Sequence, residues 1–275
     1  MLINLRLELL KVMRKSRTYI GPAALSLLII AMLVGMKHGH QFEYMKRRLE
    51  QDFIVSGSFV NAAFLTRYLL EAIWFSFLPL FACMVCGDLI ASEAADGTLR
   101  TLLCRPVTRL KVAISKYAVA VTYVLGLTLG TGLLAYLMGW AYLGRGSLVV
   151  LHRGVWIYTE HDAILRLLAA YAIIACGMIA VGSIAFAVST FLSNSNGAIA
   201  AAMGLLYGSA VIGEIDYFAK IKPYLLTTQM DVYNRLFTGV PDAHAFASAV
   251  GILAAYSAAA LVIGLVIFNR RDVLS

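Results

Sequence analysis

The chain has 275 residues, of which 61% are hydrophobic and 14% charged, with a formal net charge of +8. Soluble domains carry about 25% charged residues, so these side chains cannot supply a water-facing surface for the whole chain. The basic residues sit in short gaps between apolar runs, which suits anionic lipid headgroups and excludes the concentrated basic patch of a nucleic-acid binder.

Residues 1–18 open the chain with Leu2, Leu5, Leu9 and Met13 on one helical face and Asn4, Glu8, Lys11 and Lys15 on another. This pattern predicts an interfacial helix lying along the membrane, with its polar face wet. The leader is too long for a signal peptide and no A-x-A-like site follows, so the next run is expected to be an uncleaved span.

A helix needs roughly 20 apolar residues to cross a hydrocarbon core of about 30 Å. On that measure the expected spans are 19–36, 67–88, 117–144, 166–192, 198–213 and 244–268. The second starts early enough to take in Arg67 and Glu71, whose i,i+4 spacing allows a pair on one face. A substrate-contacting carboxylate at Glu71 is the alternative. The long uncharged stretch from Leu167 to Gly213 is divided by the turn-forming residues Ser193 to Gly197. Six spans put both ends on one side and give an all-α polytopic membrane protein with a single permease-like domain. The two sides carry twelve and eleven basic residues, so the positive-inside rule alone barely orients the chain.

Gly126 and Gly130 in the third span, and Ala200, Gly204 and Gly208 in the fifth, recur every four residues. Such stripes allow close helix approach, within the chain by default or, for the fifth span, across a homodimer seam. Cys83 and Cys86 match C-x-x-C spacing, but inside an apolar run they read as packing residues, as does Cys176. Cys104 falls in the loop after the second span.

The chemistry of an enzyme is hard to place. No G-x-x-x-x-G-K-[ST] phosphate loop occurs, because Gly-Lys is never found in this chain. The histidines, His38, His40, His152, His161 and His244, fall in loops or at span ends with Glu43, Glu160, Asp162 and Asp242, at spacings that match no compact metal motif. They read as wet loop residues. The cores of the third to sixth spans hold no Asp, Glu, Lys or Arg, which disfavours an intramembrane enzyme and a self-powered secondary transporter alike.

The segment 89–109 joins the second and third spans, with acids first, bases later, and Gly97 and Pro106 placed to end or bend helices. It reads Glu93, Asp96, Gly97, Thr98, Leu99, then Leu102, Leu103, Pro106, Val107, Thr108, Arg109, with Lys116 at the next span. This ordered pattern resembles the permease subunits of type-2 ABC exporters, whose opening is also similar to Glu8, Lys11, Arg14, Arg17 and Thr18 here. The resemblance implies a coupling helix over 89–109, with Glu93, Asp96, Gly97, Thr98, Leu99, Leu102, Leu103, Pro106 and Arg109 facing a cytoplasmic ABC ATPase. It further implies a second permease copy, two ATPase subunits carrying ATP and Mg, no cofactor in this chain, and an outer segment over 214–242 with Pro223, Tyr224 and Pro241. The setting it implies is a bacterial inner membrane with both termini cytoplasmic.

Overall fold

A computed structural model describes residues 2–38, 60–95, 97, 108–151, 155–192, 194–239 and 242–270. Of the expected coupling residues, Asp96, Thr98, Leu99, Leu102, Leu103 and Pro106 lie outside the described residues, as do His40, Glu43, Cys104, His152 and Pro241.

Helix α1 (Leu2–Arg14) is followed by α2 (Ser16–His38). α1 docks through Leu5, Glu8, Leu9 and Val12, leaving Leu7, Leu10 and Met13 exposed. The sequence had put Glu8 on the wet face, but it is buried because an ion-pair partner waits in the bundle. α2 buries Thr18, Gly21, Leu25, Ile29, Leu33 and Met36, one residue per turn. Pro22 has no N–H to give the Thr18 carbonyl, and the Tyr123 hydroxyl donates to that carbonyl instead at 3.3 Å.

The second apolar region forms two helices, α3 (Ala62–Ile73) and α4 (Phe77–Cys86), bent by 62°. The expected uninterrupted span 67–88 is therefore corrected to a broken one that begins five residues earlier. Pro79 is the local cause, since its ring would clash with the Phe75 carbonyl and it cannot donate to it. The earlier start is set by Asn61, whose Oδ1 accepts from the Phe64 N–H at 3.0 Å and whose Nδ2 donates to the Ser147 carbonyl at 2.7 Å.

Helix α5 (Asp88–Ala95) continues from α4 across Gly87, and α6 (Arg109–Leu143) runs 35 residues to Gly144 at φ +80°. Strands β1 (Leu148–Leu151) and β2 (Val155–Tyr158) form an antiparallel hairpin pairing Leu148 with Tyr158, a small departure from the all-helical expectation. Next come α7 (Glu160–Phe191), capped by Thr159, and α8 (Ser195–Glu214), capped by Asn194. Short 3-10 turns and α9 (Leu226–Asp231) lead to α10 (Ala243–Arg270).

The long helix α7 is the centre of the bundle. Its small residues bring neighbours close: the added Cβ of Gly177 would sit 2.5 Å from Met230, and that of Gly182 3.1 Å from the Cys86 sulfur. α10 lies along it through Ala249, Leu253, Ser257, Ala260, Gly264 and Phe268.

Among the described residues, five helices (α2, α6, α7, α8 and α10) are long and apolar enough to cross a membrane. Taken as one broken span, the bent pair makes a sixth. At its start Ala62 lies against Gly139 of α6, and past its end Glu93 reaches Lys116, 23 positions away on the same helix. At 1.5 Å per residue that is about 34 Å, enough for the hydrocarbon core. Large apolar side chains turn outward on the long helices, Leu27 at 72%, Leu133 at 62% and Leu168 at 63% exposure, as lipid contact requires. This is an all-α polytopic membrane protein with a minor hairpin.

Candidate functional site: a buried ion-pair cluster

At the end of the bundle that holds α1, the chain buries charge. Lys116, the only ionised side chain between Lys111 and Arg145 on α6, is 1% exposed. Its Nζ lies 2.8 Å from Glu8 Oε2 of α1 and 2.7 Å from Glu93 Oε1 of α5. Lys11 closes the ring, 3.1 Å from Glu8 and 3.3 Å from Glu93. Two carboxylates meet two ammonium groups, so the cluster is neutral and the charges compensate one another.

Burial pushes the Glu8 carboxyl up, but Lys116 and Lys11 overcome it and hold Glu8 below the usual carboxylate range. Partial burial pulls Lys11 down, and Glu93 and Glu8 more than reverse that effect.

One turn before Glu93, Asp88 anchors a second set of contacts. Its carboxylate takes Lys15 at 2.7 Å, Arg17 at 3.1 Å and the Ser195 hydroxyl at 2.7 Å. Lys15 also donates to the Ser92 hydroxyl at 2.8 Å. Burial raises the Asp88 carboxyl, and the Lys15 and Ser195 bonds with the Lys15 and Arg17 charges bring it below its ordinary value. Asp88 thus joins the α1–α2 junction to the start of α8.

The opposite end is tied by arginines. Arg166 donates to the Leu236 and Gly239 carbonyls and stacks 4.1 Å over Tyr158, while Arg67 lies 4.9 Å over Phe237 and 3.0 Å from Glu71. The i,i+4 pair expected of Arg67 and Glu71 forms. Among the described residues, no three His, Cys, Asp or Glu side chains gather to hold a metal.

An apolar helix bundle with charge at its ends describes many membrane proteins; likeness in sequence is more decisive. The family model described as ABC-2 family transporter protein matches residues 5–273. The chain belongs to that family. No curated protein matches it. As an ABC-2 family protein it is a membrane permease component of an ABC transporter, and the resemblance read from Glu93 to Arg109 names the same family.

In this ABC-2 protein the expected coupling residues that are described divide as follows. Glu93 turns into the ion-pair cluster, Gly97 is exposed at φ +69°, and Arg109 begins α6. The expected small-residue stripes do not pack inside the chain: nothing lies within 4 Å of an added Cβ at Gly126, Gly130, Gly204 or Gly208, and Ala200 is exposed. Close packing uses other glycines, Gly132 against Tyr171 and Gly139 against Ala62. Periodicity showed that a small face exists but not which way it turns. Cys83 and Cys86 are buried free thiols in the core, and Cys176 is a half-buried one.

The cluster residues that were not among the expected site residues are Glu8, Lys11, Lys15, Arg17, Asp88, Lys116 and Ser195. A signal for part of the set was present: Lys116 is a lone cation at the edge of an uncharged run, and such a residue needs a partner.

Proposed function

We propose that this permease subunit moves its substrate outward, driven by ATP hydrolysis on separate ATPase chains docked at the α1 end of the bundle. That end is the cytoplasmic one in this reading, within a bacterial inner membrane, and a second permease copy completes the pathway. ATP and Mg belong to the ATPase chains.

The carrying observation is where the buried cluster sits. Residues 96–107 connect α5 to α6, and both flanking helices are fixed to α1 by Glu93, Lys116 and Glu8. A segment with anchored ends can pass a push from a bound ATPase into α6 and α1 rather than absorb it. In this reading Glu93 positions the segment, and Asp96 to Arg105 meet the ATPase.

Charge reversal separates these roles. Asp96→Arg with Arg105→Glu is expected to leave membrane insertion and monodispersity intact while weakening copurification of the ATPase and abolishing permease-stimulated ATP hydrolysis. Glu93→Lys is expected to lower thermal stability as well. Unchanged copurification and stimulation in the Asp96/Arg105 variant would overturn the docking assignment and favour a self-powered transporter.

A further inference from the structure

An apolar groove of about 380 Å³ runs between α1, α2 and α6. Val12 and Met13 close its shallow end, Leu25 and Ile29 form one wall, and Leu127 and Leu134 the other. Gly126 and Gly130 line it, and because neither has a neighbour within 4 Å of an added Cβ, the trench stays open there. From Thr122 to Leu134 it follows α6 for 12 positions, about 18 Å, a little more than half of a hydrocarbon core of about 30 Å. The groove has the depth of one lipid leaflet.

Five of its hydroxyls already donate to backbone carbonyls. Ser26 donates to Pro22 at 2.7 Å, Thr122 to Ala118 at 2.8 Å and Thr131 to Leu127 at 2.6 Å. Tyr123 and Thr18 donate to the Thr18 and Val12 carbonyls. A polar substrate would lose its hydration here and meet few free donors in return, since these hydroxyls can only accept. A single hydrocarbon chain is slender enough to lie along the whole groove, whereas a packing helix would enter it only by its side-chain ridges.

The chemistry changes at the shallow end. Arg14 extends an exposed guanidinium beside Met13, while Lys11, Lys15 and Arg17 nearby are held by Glu8, Glu93 and Asp88, and Tyr19 lies at the mouth. Basic residues at the membrane surface attract anionic headgroups, and tyrosine favours that depth.

We propose that this groove binds one acyl chain of an anionic phospholipid, with the headgroup at the α1–α2 junction beside Arg14. The lipid completes the surface that α1, α2 and α6 leave unfilled. Because α1 also holds the ion-pair cluster, a lipid bound there braces the helix from its other side.

The test uses the full chain purified in mild detergent, with dioleoyl phosphatidylglycerol and dioleoyl phosphatidylcholine as probes and native mass spectrometry as readout. The wild-type chain is expected to retain one phosphatidylglycerol at least tenfold better than phosphatidylcholine. Filling the trench with Gly126→Leu/Gly130→Leu is expected to reduce retention more than tenfold, while Gly204→Leu/Gly208→Leu on α8 leaves it unchanged. Arg14→Gln is expected to lower the headgroup preference severalfold and spare chain binding. Unchanged retention in the Gly126/Gly130 variant would overturn the proposal. So would loss of dimer in that variant with lipid retention intact, which would assign the groove to a second copy. Should that variant misfold, phosphatidylglycerol with a photoreactive acyl chain is applied to the wild type. Labelling of α2 and α6 peptides around Leu25 and Gly126 supports the site, and labelling elsewhere alone rejects it.

Discussion

Replacing Lys116 by Met removes the centre of the ion-pair cluster at nearly constant volume. Glu8 and Glu93, with side chains 8% and 14% exposed, are then left to Lys11, which is 49% exposed. Breaking a buried pair from one side costs about 3–5 kcal/mol. The loss has a ceiling, because a carboxyl can take up a proton instead. From an ordinary value of 4.5 for Glu8, protonation at pH 7 costs about 3.4 kcal/mol at about 1.36 kcal/mol per pH unit. With Lys11 still present, about 2–3 kcal/mol is expected, or roughly 4–12 °C in the thermal midpoint for a chain near this size.

The pH dependence of this variant is the sharper discriminator. In the wild type, Glu8 is held below its ordinary value, so its contribution is complete above about pH 4.5 and is lost as pH falls through the folded-state value. Without Lys116, burial is opposed by Lys11 alone, so the Glu8 carboxyl moves up and stability is lost as pH rises above its ordinary value of 4.5 and recovers as pH falls back toward it. Thermal denaturation followed by size-exclusion fluorescence from about pH 7 to pH 3 reads both signs. Parallel curves for the two proteins, or a shift under about 1 °C, would refute a load-carrying role for the cluster.

Two glycine substitutions on α6 are expected to differ in sign. Gly132→Ala places a methyl 2.6 Å from the buried Tyr171 ring, which is held by its bond to the Thr66 carbonyl, and is expected to cost about 1–3 kcal/mol. Gly126→Ala meets open space and is expected to be neutral or to stabilise by up to about 1 kcal/mol, checked in the same thermal assay. For orientation, Ser275→Cys is expected to resist a membrane-impermeant thiol reagent in intact cells and to react after permeabilisation. Labelling in intact cells would place the carboxyl terminus outside.

The spans were legible because lipid contact demands long uncharged runs, which composition alone betrays. Their details were not. Counting charges stopped the second span near Arg67, although Arg67 and Glu71 satisfy each other and the helix begins at the Asn61 cap. The break before Phe77 had a visible cause in Pro79, but the apolarity of the run outweighed it. The hairpin was likewise written as two β-prone runs, Leu148–Leu151 and Val155–Tyr158, with the polar and glycine-containing sequence His152, Arg153, Gly154 between them. Glu8 was beyond local reading altogether, since its partner lies 108 residues away. A polar residue on an amphipathic leader looks wet until the tertiary fold supplies a lysine.

That distant pairing also explains why charge is kept at a place where apolar side chains would serve stability as well. Leucines at these three positions would allow α1 and α5 to slide along α6 by small steps at little cost. Lys116 Nζ instead receives one carboxylate from each helix at under 3 Å. Neither helix can shift by a turn without leaving a buried charge unpaired, and so the register of all three is set by one nitrogen. The far end is held differently, by the Asn61 and Arg166 bonds to backbone carbonyls. Between these two fixed ends lies the break at Trp74 to Ser76, where the ladder of helical hydrogen bonds is interrupted. Resistance to relative sliding is thus concentrated at the ends of the bundle, and the backbone's freedom to bend at the middle of the second span.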